Sequence, residues 1–358
     1  MNLIMKILFV DFDTNGHHGI YLKTLLGLAS ADSILVLPQK VEGYIENQYC
    51  IKNLGRNMNY NQYRKVLHEI KAITEKENPD IIHILSGDFL YRFFGLGLNI
   101  LAGPVLVTFH HMIFTRIRCI SYKQIFKKVD CGIVHTDYIR ENLNNIGINN
   151  VSKIEYPCFE GVSIADKMIL RDKYGIPKDR KVMLAFGGIR YDKGLDILLA
   201  ALREVKSGFH LVIAGKAEDF GKEFIDEEIK DYRENVTYYL DYIEETKMEE
   251  LFALCDIIIL PYRRKFAGAS GPLTTGVANG KMIIGPDYNS IGQIISKNHL
   301  GEVFDVEDVH SLEKVIEIAL NVDFIYDETA LHYKEGITTE YFTDEYKELY
   351  KSRIRTFH

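Results

Sequence analysis

The feature that most constrains the fold of this chain is an almost unbroken alternation of short apolar segments with amphipathic stretches. The apolar segments are rich in Ile, Val and Leu, as in KILFVDF, DIIHILS, KVMLAFGG and DIIILPY. Near-continuous apolar strands separated by helices are typical of parallel sheets that are covered by helices on both faces. The sequence therefore predicts an α/β protein.

A chain of 358 residues is longer than one hydrophobic core usually supports, so two domains are expected. The stretch 158–180 is polar and has no strand signal, which predicts Rossmann-like, doubly wound domains at 1–165 and 166–358. The final helix, TDEYKELYKSRI, is assigned to the second domain, from which it could cross back to the first. Ligands of such sheets bind at the carboxyl ends of strands, so we expect the site in a central cleft between two facing sheets.

Cysteine usage and hydropathy indicate the compartment. The five cysteines form no CxxC pair and show no metal-ligand spacing, which is typical of scattered thiols in a reducing compartment. The apolar start of the chain reaches only to Asp11, which is too short for a signal peptide and favours a first strand. No stretch approaches the roughly 18 apolar residues of a membrane span. A cytoplasmic protein is expected.

Charge is unevenly distributed. The net charge of −7 divides into +2 for residues 1–165 and −9 for the remainder, and residues 89–129 contain no acid. Within 112–129, five aromatic or aliphatic residues alternate with five cations, which is typical of a segment lying on an anionic membrane. A solvated helix face packed on its own domain is the alternative. Nucleic acid is not an expected partner, because the chain is acidic and carries no recognised motif.

The segment GGIRYDKG, residues 187–194, is the first candidate site. The predicted strand ends at two glycines, and Arg190 and Lys193 follow three residues apart before a helix. Glycines such as Gly188 let the backbone approach a ligand, and paired cations at a strand's carboxyl end suit a diphosphate. Each charged hydrogen bond would contribute about 1.5–3 kcal/mol. The alternative is a turn with two solvated cations.

The small-residue segment AGASGPLTTGVANG is the second candidate. Ser270 could cap a helix whose first turn contains Gly271 and Pro272, where the missing proline N–H costs nothing. Bare N–H groups at a helix start bind anions, and Thr274 and Thr275 add hydroxyls one turn later. The alternative is a capped helix that packs through its small residues.

Two weaker signals lie in the first half. The turn DTNGHHG, residues 13–19, brings Gly16 ahead of a helix, where it could approach a phosphate, although the GxGxxG spacing is missing. His110 and His111 end a strand and must point to opposite sides, so only one can face a cleft. That histidine could orient a sugar hydroxyl or shuttle a proton, or be purely structural. His83, inside an apolar strand, is expected to be a satisfied core residue.

Over nearly its whole length the chain resembles the retaining GT-B glycosyltransferases of family 4. FGGIRYDKGLDILLAAL resembles the family's donor-phosphate segment, which implies that Arg190 and Lys193 contact the diphosphate of a nucleotide sugar. The resemblance also implies that the backbone at Tyr242 and Ile243 borders the nucleobase, and it matches His110 to the family's strand-end histidine.

One departure from the family pattern concerns a pair of glutamates eight residues apart. Ala267 and Thr275 stand at the matching positions, so both carboxylates are missing. The segment instead resembles a branch with a Ser-Gly segment followed by a small-residue helix and Gly-Lys. In that branch Ser270 and the Gly271 N–H would contact phosphate, and Thr274 and Thr275 are candidates for holding donor hydroxyls.

The resemblance implies a hexosyltransferase-type enzyme that moves a sugar from a UDP- or GDP-linked donor to a glycan or lipid-linked glycan, with retention of configuration. His110, Arg190 and Lys193 would be the catalytic residues. No metal and no other cofactor are expected, because protein cations neutralise the leaving diphosphate. The charge map adds a peripheral place on a membrane and a role in surface-polysaccharide or glycoconjugate synthesis.

Two alternatives stay open. A nucleotide-sugar 2-epimerase would need an acid–base set in the cleft, for which His110 and Asp88 are the main candidates. A non-catalytic GT-B subunit that binds a partner transferase would explain the missing glutamates.

Overall fold

The chain folds into two units, each built around one parallel β-sheet. The structure is a computed structural model and describes residues 5–12, 16–159, 161–266 and 268–354, without the side chains of Gly16 and His17. One unit comprises Met1–Phe159 together with Thr339–His358, and the other comprises Glu160–Thr338. We call them the first and the second unit.

The sheet of the first unit has seven strands in the order β3-β2-β1-β4-β5-β6-β7. Its strands are β1 Ile7–Val10, β2 Ile34–Leu37, β3 Gln48–Cys50, β4 Ile81–Ile84, β5 Val105–Thr108, β6 Cys131–Val134 and β7 Val151–Lys153. Its helices are α1 Gly16–Leu26, α2 Tyr60–Glu77, α3 Arg116–Phe126, α4 Asp137–Asn145 and the C-terminal helix Thr339–Ile354, with 3-10 turns at Gly87–Phe93 and Leu98–Ile100.

The sheet of the second unit has six strands in the order β10-β9-β8-β11-β12-β13. Its strands are β8 Lys181–Phe186, β9 Phe209–Ala214, β10 Val236–Tyr239, β11 Ile257–Ile259, β12 Met282–Pro286 and β13 Gly301–Phe304. Its helices are α5 Lys167–Tyr174, α6 Leu195–Leu202, α7 Lys222–Glu228, α8 Glu245–Leu254, α9 Gly271–Ala278, α10 Asn289–Lys297, α11 Val309–Asn321 and α12 Glu328–Gly336, with 3-10 turns at Tyr191–Lys193 and Lys230–Asn235.

Burial on both faces explains the apolar strands. Residues of β1 alternate between two hydrophobic clusters, with Leu8 in one and Phe9 in the other, and both are fully buried. In β11, Ile257 and Ile258 divide in the same way between the two clusters of the second unit. A strand buried on both faces is mostly apolar, which explains the apolar segments, and the two parallel sheets confirm the predicted α/β class with two doubly wound sheets.

The structure corrects the domain assignment at its C-terminal end. The sequence placed residues 339–358 in the second domain, but the C-terminal helix packs with β1, β4 and α1 of the first unit. Tyr346 and Tyr350 of this helix are fully buried, and the Tyr350 hydroxyl bonds to His83. The helix therefore completes the first core, and the first boundary lies at Phe159 rather than at residue 165.

Two strands were not predicted from the sequence. β3 and β13 each form one of the two edges of their sheets, are short, and are only partly buried. An edge strand needs little apolar sequence because one side faces solvent, so its pattern is weak.

Candidate active site

The candidate site of the second unit lies at the carboxyl ends of β8 and β11. From β8 the chain proceeds to β9 and β10 on one side, then returns to form β11 on the other side. The strand order thus reverses between β8 and β11, and open α/β sheets bind ligands at such a switch point. GGIRYDKG follows β8 and PYRRKF follows β11, so both predicted segments are at this edge.

Close backbone packing joins the two loops. Gly187 has a φ of 111°, and a Cβ at Gly194, whose φ is 68°, would lie 1.9 Å from the Pro261 carbonyl oxygen. Only glycine allows this approach without moving the backbone. At Gly188 a Cβ would come within 2.8 Å of the Glu218 carboxylate. The predicted glycine-bearing turn is therefore built by contacts within the protein.

Arg190 is held in an extended position by Asp192. Its Nε and Nη2 donate to the two carboxylate oxygens of Asp192 at 2.9 Å each. The guanidinium side chain is 44% exposed, so donors remain available to a ligand. The loop itself is pinned, because the Tyr191 N–H donates to Asp219 and the Tyr191 carbonyl accepts from Arg263.

Lys193 lies against two aromatic rings. Its Nζ is 3.7 Å from the ring centroid of Tyr262 and 4.2 Å from that of Phe266. Among the residues that the structure describes, no carboxylate lies within ion-pair distance of this ammonium group. Burial, and secondarily the charge of Arg190, lowers the pKa of Lys193 to about 7. An anion that bound here would restore the charged form.

The start of α9 is capped as predicted. The Ser270 Oγ accepts from the Leu273 N–H at 3.4 Å and lies 3.1 Å from the Tyr262 hydroxyl. Ser270 is buried, so its hydroxyl serves the cap. No described residue accepts a hydrogen bond from the Gly271 N–H, which leaves the backbone as the free donor at this helix start.

The small residues of α9 also have a packing role. A Cβ at Gly276 would lie 2.5 Å from Ile258 and 2.8 Å from Ile283, so this helix packs closely on β11 and β12. Thr274 and Thr275 are buried, and the Thr274 hydroxyl donates to the Gly271 carbonyl at 3.1 Å. Little of either hydroxyl is exposed, and contact of either with a donor stays a prediction. Ala267 lies outside the described residues.

Three further predicted residues are dispersed. Tyr242 is 84% exposed, whereas Ile243 packs partly against the core of the second unit. Both follow β10, which is the outer strand of that sheet. Gly16 is the first residue of α1, and residues 13–15 of the turn before it lie outside the described residues. The nucleobase and phosphate roles of these residues stay predictions.

In the first unit, His110 follows β5 and is buried, whereas His111 is exposed. The two adjacent histidines thus differ in exposure, and which of them faces a cleft stays a prediction. The His110 Nε2 lies 3.0 Å from the Leu85 carbonyl oxygen, which can only accept, so Nε2 carries the proton and Nδ1 has the lone pair. Burial, followed by the nearby His135 and His18, lowers the pKa of His110. A neutral His110 can therefore accept a hydrogen bond through Nδ1.

Several aromatic rings surround His110, and the sequence alone did not indicate that they lie there. The rings of His18 and His135 lie 4.9 and 5.1 Å from the His110 ring, and that of Tyr21 lies at 5.2 Å. His135 directly follows β6, as His110 follows β5, and this common position was a usable signal. The carboxyl edge of this sheet thus carries a cluster of hydrogen-bonding rings, among which His110, His135 and Tyr21 are uncharged.

Asp88 supports the turn that contains the two histidines. Its carboxylate accepts from the N–H groups of His110 at 3.3 Å and His111 at 2.7 Å. Burial raises the pKa of this carboxyl. Asp88 is therefore engaged with the backbone, which disfavours it as the mobile acid of an epimerase.

The residues that the structure describes contain no group of three or more His, Cys, Asp or Glu that is placed to hold a metal ion. They also contain no helix with the length and apolar character needed to cross a bilayer.

Solved structures that share this architecture include glycosyltransferases with the GT-B fold. A glycosyltransferase from Rickettsia africae aligns with a TM-score of 0.76 over 98% of this chain and 99% of its own, at 16% identity. HepE of Anabaena, solved in complex with UDP and glucose, aligns with a TM-score of 0.72 over 97% and 100%, at 15% identity. These similarities show that the fold is GT-B.

Sequence comparison points to the same class. Residues 166–336 match the family described as Glycosyl transferases group 1. An uncharacterised glycosyltransferase of Methanocaldococcus jannaschii is 22% identical over 153 residues, which are 40% of this chain and 35% of that protein. The chain thus spans about a third of that curated relative. The family match and these relatives support a glycosyltransferase.

Proposed function

We propose that the protein is a retaining, family 4 glycosyltransferase of the hexosyltransferase type. It transfers a sugar from a UDP- or GDP-sugar to a hydroxyl group of a glycan or lipid-linked glycan. We further propose a cytoplasmic location on the inner face of a membrane and a role in surface-polysaccharide or glycoconjugate synthesis.

One observation carries the donor assignment: Arg190, Lys193 and the Gly271 N–H all belong to the loops at the β8/β11 switch point. Two cations and a helix start suit a diphosphate, because each can donate a charge-assisted hydrogen bond. This edge falls inside the segment that matches the glycosyltransferase family. A nucleotide-sugar diphosphate is the anion that such an enzyme must bind.

The proposed mechanism is attack on the same face from which the diphosphate leaves. As the bond between the anomeric carbon and the diphosphate oxygen breaks, negative charge develops on that oxygen. Arg190, Lys193 and the Gly271 N–H stabilise this charge. The departing oxygen takes the proton of the acceptor hydroxyl, so no protein nucleophile is required. Configuration is retained because the acceptor enters on the face that the leaving group vacates.

His110 supplies a different group. Its Nε2 proton is committed to the Leu85 carbonyl, which leaves Nδ1 as an acceptor. We assign it to a sugar hydroxyl, which it orients by accepting that hydroxyl's proton in a hydrogen bond. A neutral ring suits this role, because burial and the neighbouring histidines lower its pKa.

The decisive experiment measures donor binding and turnover together. UDP- and GDP-sugars are screened by thermal shift, and the preferred one is incubated without acceptor while free UDP or GDP is quantified. Binding with slow release of the nucleoside diphosphate supports the enzyme. Binding without any release, even with acceptor extracts, would support a non-catalytic subunit. If no nucleotide sugar shifts the melting temperature, the donor assignment is wrong.

Metal independence is tested in the same assay. Two protein cations replace the charge that a divalent ion would supply, so a chelator should leave turnover unchanged. Loss of turnover with EDTA and its recovery with Mg²⁺ or Mn²⁺ would contradict this part of the proposal.

The proposed membrane contact comprises the outward face of α3 and Ile113, which lies three residues before the helix. Ile113, Ile117 and Ile120 are 43%, 70% and 56% exposed. Arg116, Lys123 and Lys127 are exposed as well and fall on the same side of the helix as Ile117 and Ile120. A helix face that combines exposed isoleucines with cations and has no acid fits the surface of an anionic bilayer.

The structure separates this face from the rest of segment 112–129. Tyr122, Ile125 and Phe126 are buried in the core of the first unit. Arg118 lies over the Tyr91 ring at 4.2 Å, and the Lys128 ammonium donates to the Gly95 carbonyl at 3.0 Å. Of the five cations, these two stabilise the fold, so the interfacial surface is narrower than the sequence suggested.

Co-sedimentation with phosphatidylglycerol-containing and pure phosphatidylcholine vesicles tests the surface. Changing Arg116, Lys123 and Lys127 to Gln should weaken binding to anionic vesicles by about two orders of magnitude, at about 1 kcal/mol per cation. Changing Ile117 and Ile120 to Ser should also weaken it, whereas Ile318→Ser, at a similarly exposed isoleucine of α11, should not. Equal binding by all variants would disprove the membrane contact.

A further inference from the structure

The first unit contains a chain of buried side-chain hydrogen bonds that connects its sheet to the C-terminal helix. Every member is at most 2% exposed. In order, the members are His135, Tyr21, Tyr346, Thr108, His83 and Tyr350. None of these residues has a role in the proposed mechanism, although the first member, His135, lies beside His110.

A single backbone carbonyl fixes the direction of the first links. The His135 Nδ1 lies 2.9 Å from the Ile154 oxygen, which can only accept, so Nδ1 carries the proton. The His135 Nε2 must then accept, and the Tyr21 hydroxyl donates to it at 3.4 Å. Since the proton of Tyr21 is used, the hydroxyl of Tyr346 donates to Tyr21.

The remaining links follow in the same way. Thr108 donates to Tyr346 at 3.5 Å, and its oxygen accepts from the His83 Nε2–H at 2.9 Å. The His83 Nδ1 is left with a lone pair, to which the Tyr350 hydroxyl donates at 2.7 Å. Each proton has one place, because a reversal at any link would set two lone pairs or two protons against each other.

The series of hydrogen bonds contacts His110 through the rings of its first two members, His135 and Tyr21. The Tyr21 ring meets the His110 ring edge to face, with centroids 5.2 Å apart, and the His135 ring is 5.1 Å away. Tyr21 is therefore held by two hydrogen bonds and packs directly on the imidazole to which we assign a sugar hydroxyl. Within this series of hydrogen bonds, Tyr21 is joined to the C-terminal helix by its hydrogen bond with Tyr346.

We propose that Tyr21 and Tyr346 are positioning residues for His110: Tyr346 fixes the Tyr21 phenol, and the Tyr21 and His135 rings hold the His110 imidazole with Nδ1 free to accept. This inference rests on the proposed function for the role of His110, but the hydrogen-bond chain itself does not. The C-terminal helix would thereby control the orientation of a substrate-binding group more than 200 positions earlier in the sequence.

The first test reads the protons directly by ¹⁵N NMR of the full protein labelled in histidine, near neutral pH. We expect His135 as the neutral Nδ1–H tautomer, and both His83 and His110 as neutral Nε2–H tautomers. Opposite tautomers for His135 and His83 are the specific signature of the chain. An Nε2–H tautomer or an imidazolium at His135 would overturn the proposal.

The second test compares two phenylalanine substitutions on the same helix. Tyr346→Phe should shift the ¹⁵N resonances of His135 and His110 and lower kcat about tenfold, a modest part of the ~100-fold cost of misplacing a reacting group. Tyr350→Phe removes an equally buried hydroxyl at the far end of the chain. It should leave the His110 resonances and kcat unchanged, which controls for loss of stability.

A double variant tests whether Tyr21 and Tyr346 act together on His110. If Tyr21 and Tyr346 act as one unit, the double variant Tyr21→Phe with Tyr346→Phe should lose no more activity than Tyr21→Phe alone. Unchanged His110 resonances in Tyr346→Phe, or an equal response to Tyr350→Phe, would overturn the positioning role. Expected resonances in a protein that turns over no nucleotide sugar would refute the proposed function and leave the positioning of the His110 ring in place.

Discussion

The two sheets share a doubly wound topology but end in opposite chemistry at their carboxyl edges. In the second unit that edge carries Arg190, Lys193 and a helix start, which all suit negative charge. In the first unit it carries His110, His135 and Tyr21, which are neutral rings. Under the proposed function, one backbone plan provides an anion site in one unit and a hydroxyl site in the other, and the side chains at the strand ends determine which.

The largest expected effect comes from removing the charge of the second edge. Arg190→Ala combined with Lys193→Ala should lower kcat/KM by two to four orders of magnitude, since each charged hydrogen bond contributes about 1.5–3 kcal/mol. Circular dichroism should show an intact fold, because neither side chain belongs to a core cluster.

A matched control removes two other cations from the same unit. Arg203 and Lys230 are exposed and pair with Glu228 and Glu227, and Arg203 lies beyond the opposite end of α6 from Lys193. Arg203→Ala with Lys230→Ala should retain near-normal kcat/KM. Similar losses in both double variants would mean that general charge, rather than the β8/β11 edge, drives donor binding.

The second-largest effect is expected from removing His110 at the carboxyl edge of the first sheet. His110→Ala should lower kcat about a hundredfold, in the range of a hydrogen-bonding group that acts on the reacting sugar. Donor binding measured by thermal shift should change little, because the cations of the second unit are untouched. His111→Ala, at the exposed neighbour, is the control and should remain active. Strong loss of donor binding in His110→Ala would contradict the division of labour between the two edges.

The smallest effect is a pH dependence that only the charged edge should show. In the free protein Lys193 has a pKa of about 7, because burial and the charge of Arg190 disfavour its ammonium form. A bound diphosphate favours that form and raises the pKa, so binding takes up a proton above pH 7. Affinity for a nucleotide sugar should therefore fall with rising pH, by at most about tenfold per unit.

Calorimetry at pH 6.5, 7.5 and 8.5 measures this slope, with Lys193→Arg as the control because arginine stays charged. A flat profile in the unmodified protein, or an equal slope in Lys193→Arg, would place the titrating group elsewhere.

Local sequence was enough to predict most of the strands and the two segments that meet at the β8/β11 edge, to which we assign the donor. The residues that form it, from Gly187 to Lys193 and from Ser270 to Gly271, are two short segments in which each feature is visible within a few positions. The apolar strands were equally easy to recognise, because burial on both faces makes most of their positions apolar. The sequence could not show that α9 packs so tightly that Thr274 and Thr275 are both buried, and their contact with a donor stays a prediction.

The neutral edge could not be predicted in the same way. Tyr21 and Tyr346 are hydrogen-bonded across 325 positions, and Tyr21 and His135 across 114. No local pattern marks such pairs, and a tyrosine in an amphipathic helix is ordinarily a core residue. Likewise, the rotation of α3 about its axis determines which cations of segment 112–129 face outward. The sequence alone did not fix this rotation.

The return of the C-terminal helix to the first unit has a consequence for how the protein is made. Thr339–Ile354 leaves the ribosome after the whole of the second unit, yet its buried tyrosines complete the core around β1 and β4. The second unit, Glu160–Thr338, is continuous in sequence and can fold during synthesis, whereas the first unit must wait with an open core. A ribosome that stops short of residue 339 would release a chain whose second unit can fold and whose Tyr21 lacks its hydrogen-bond partner Tyr346.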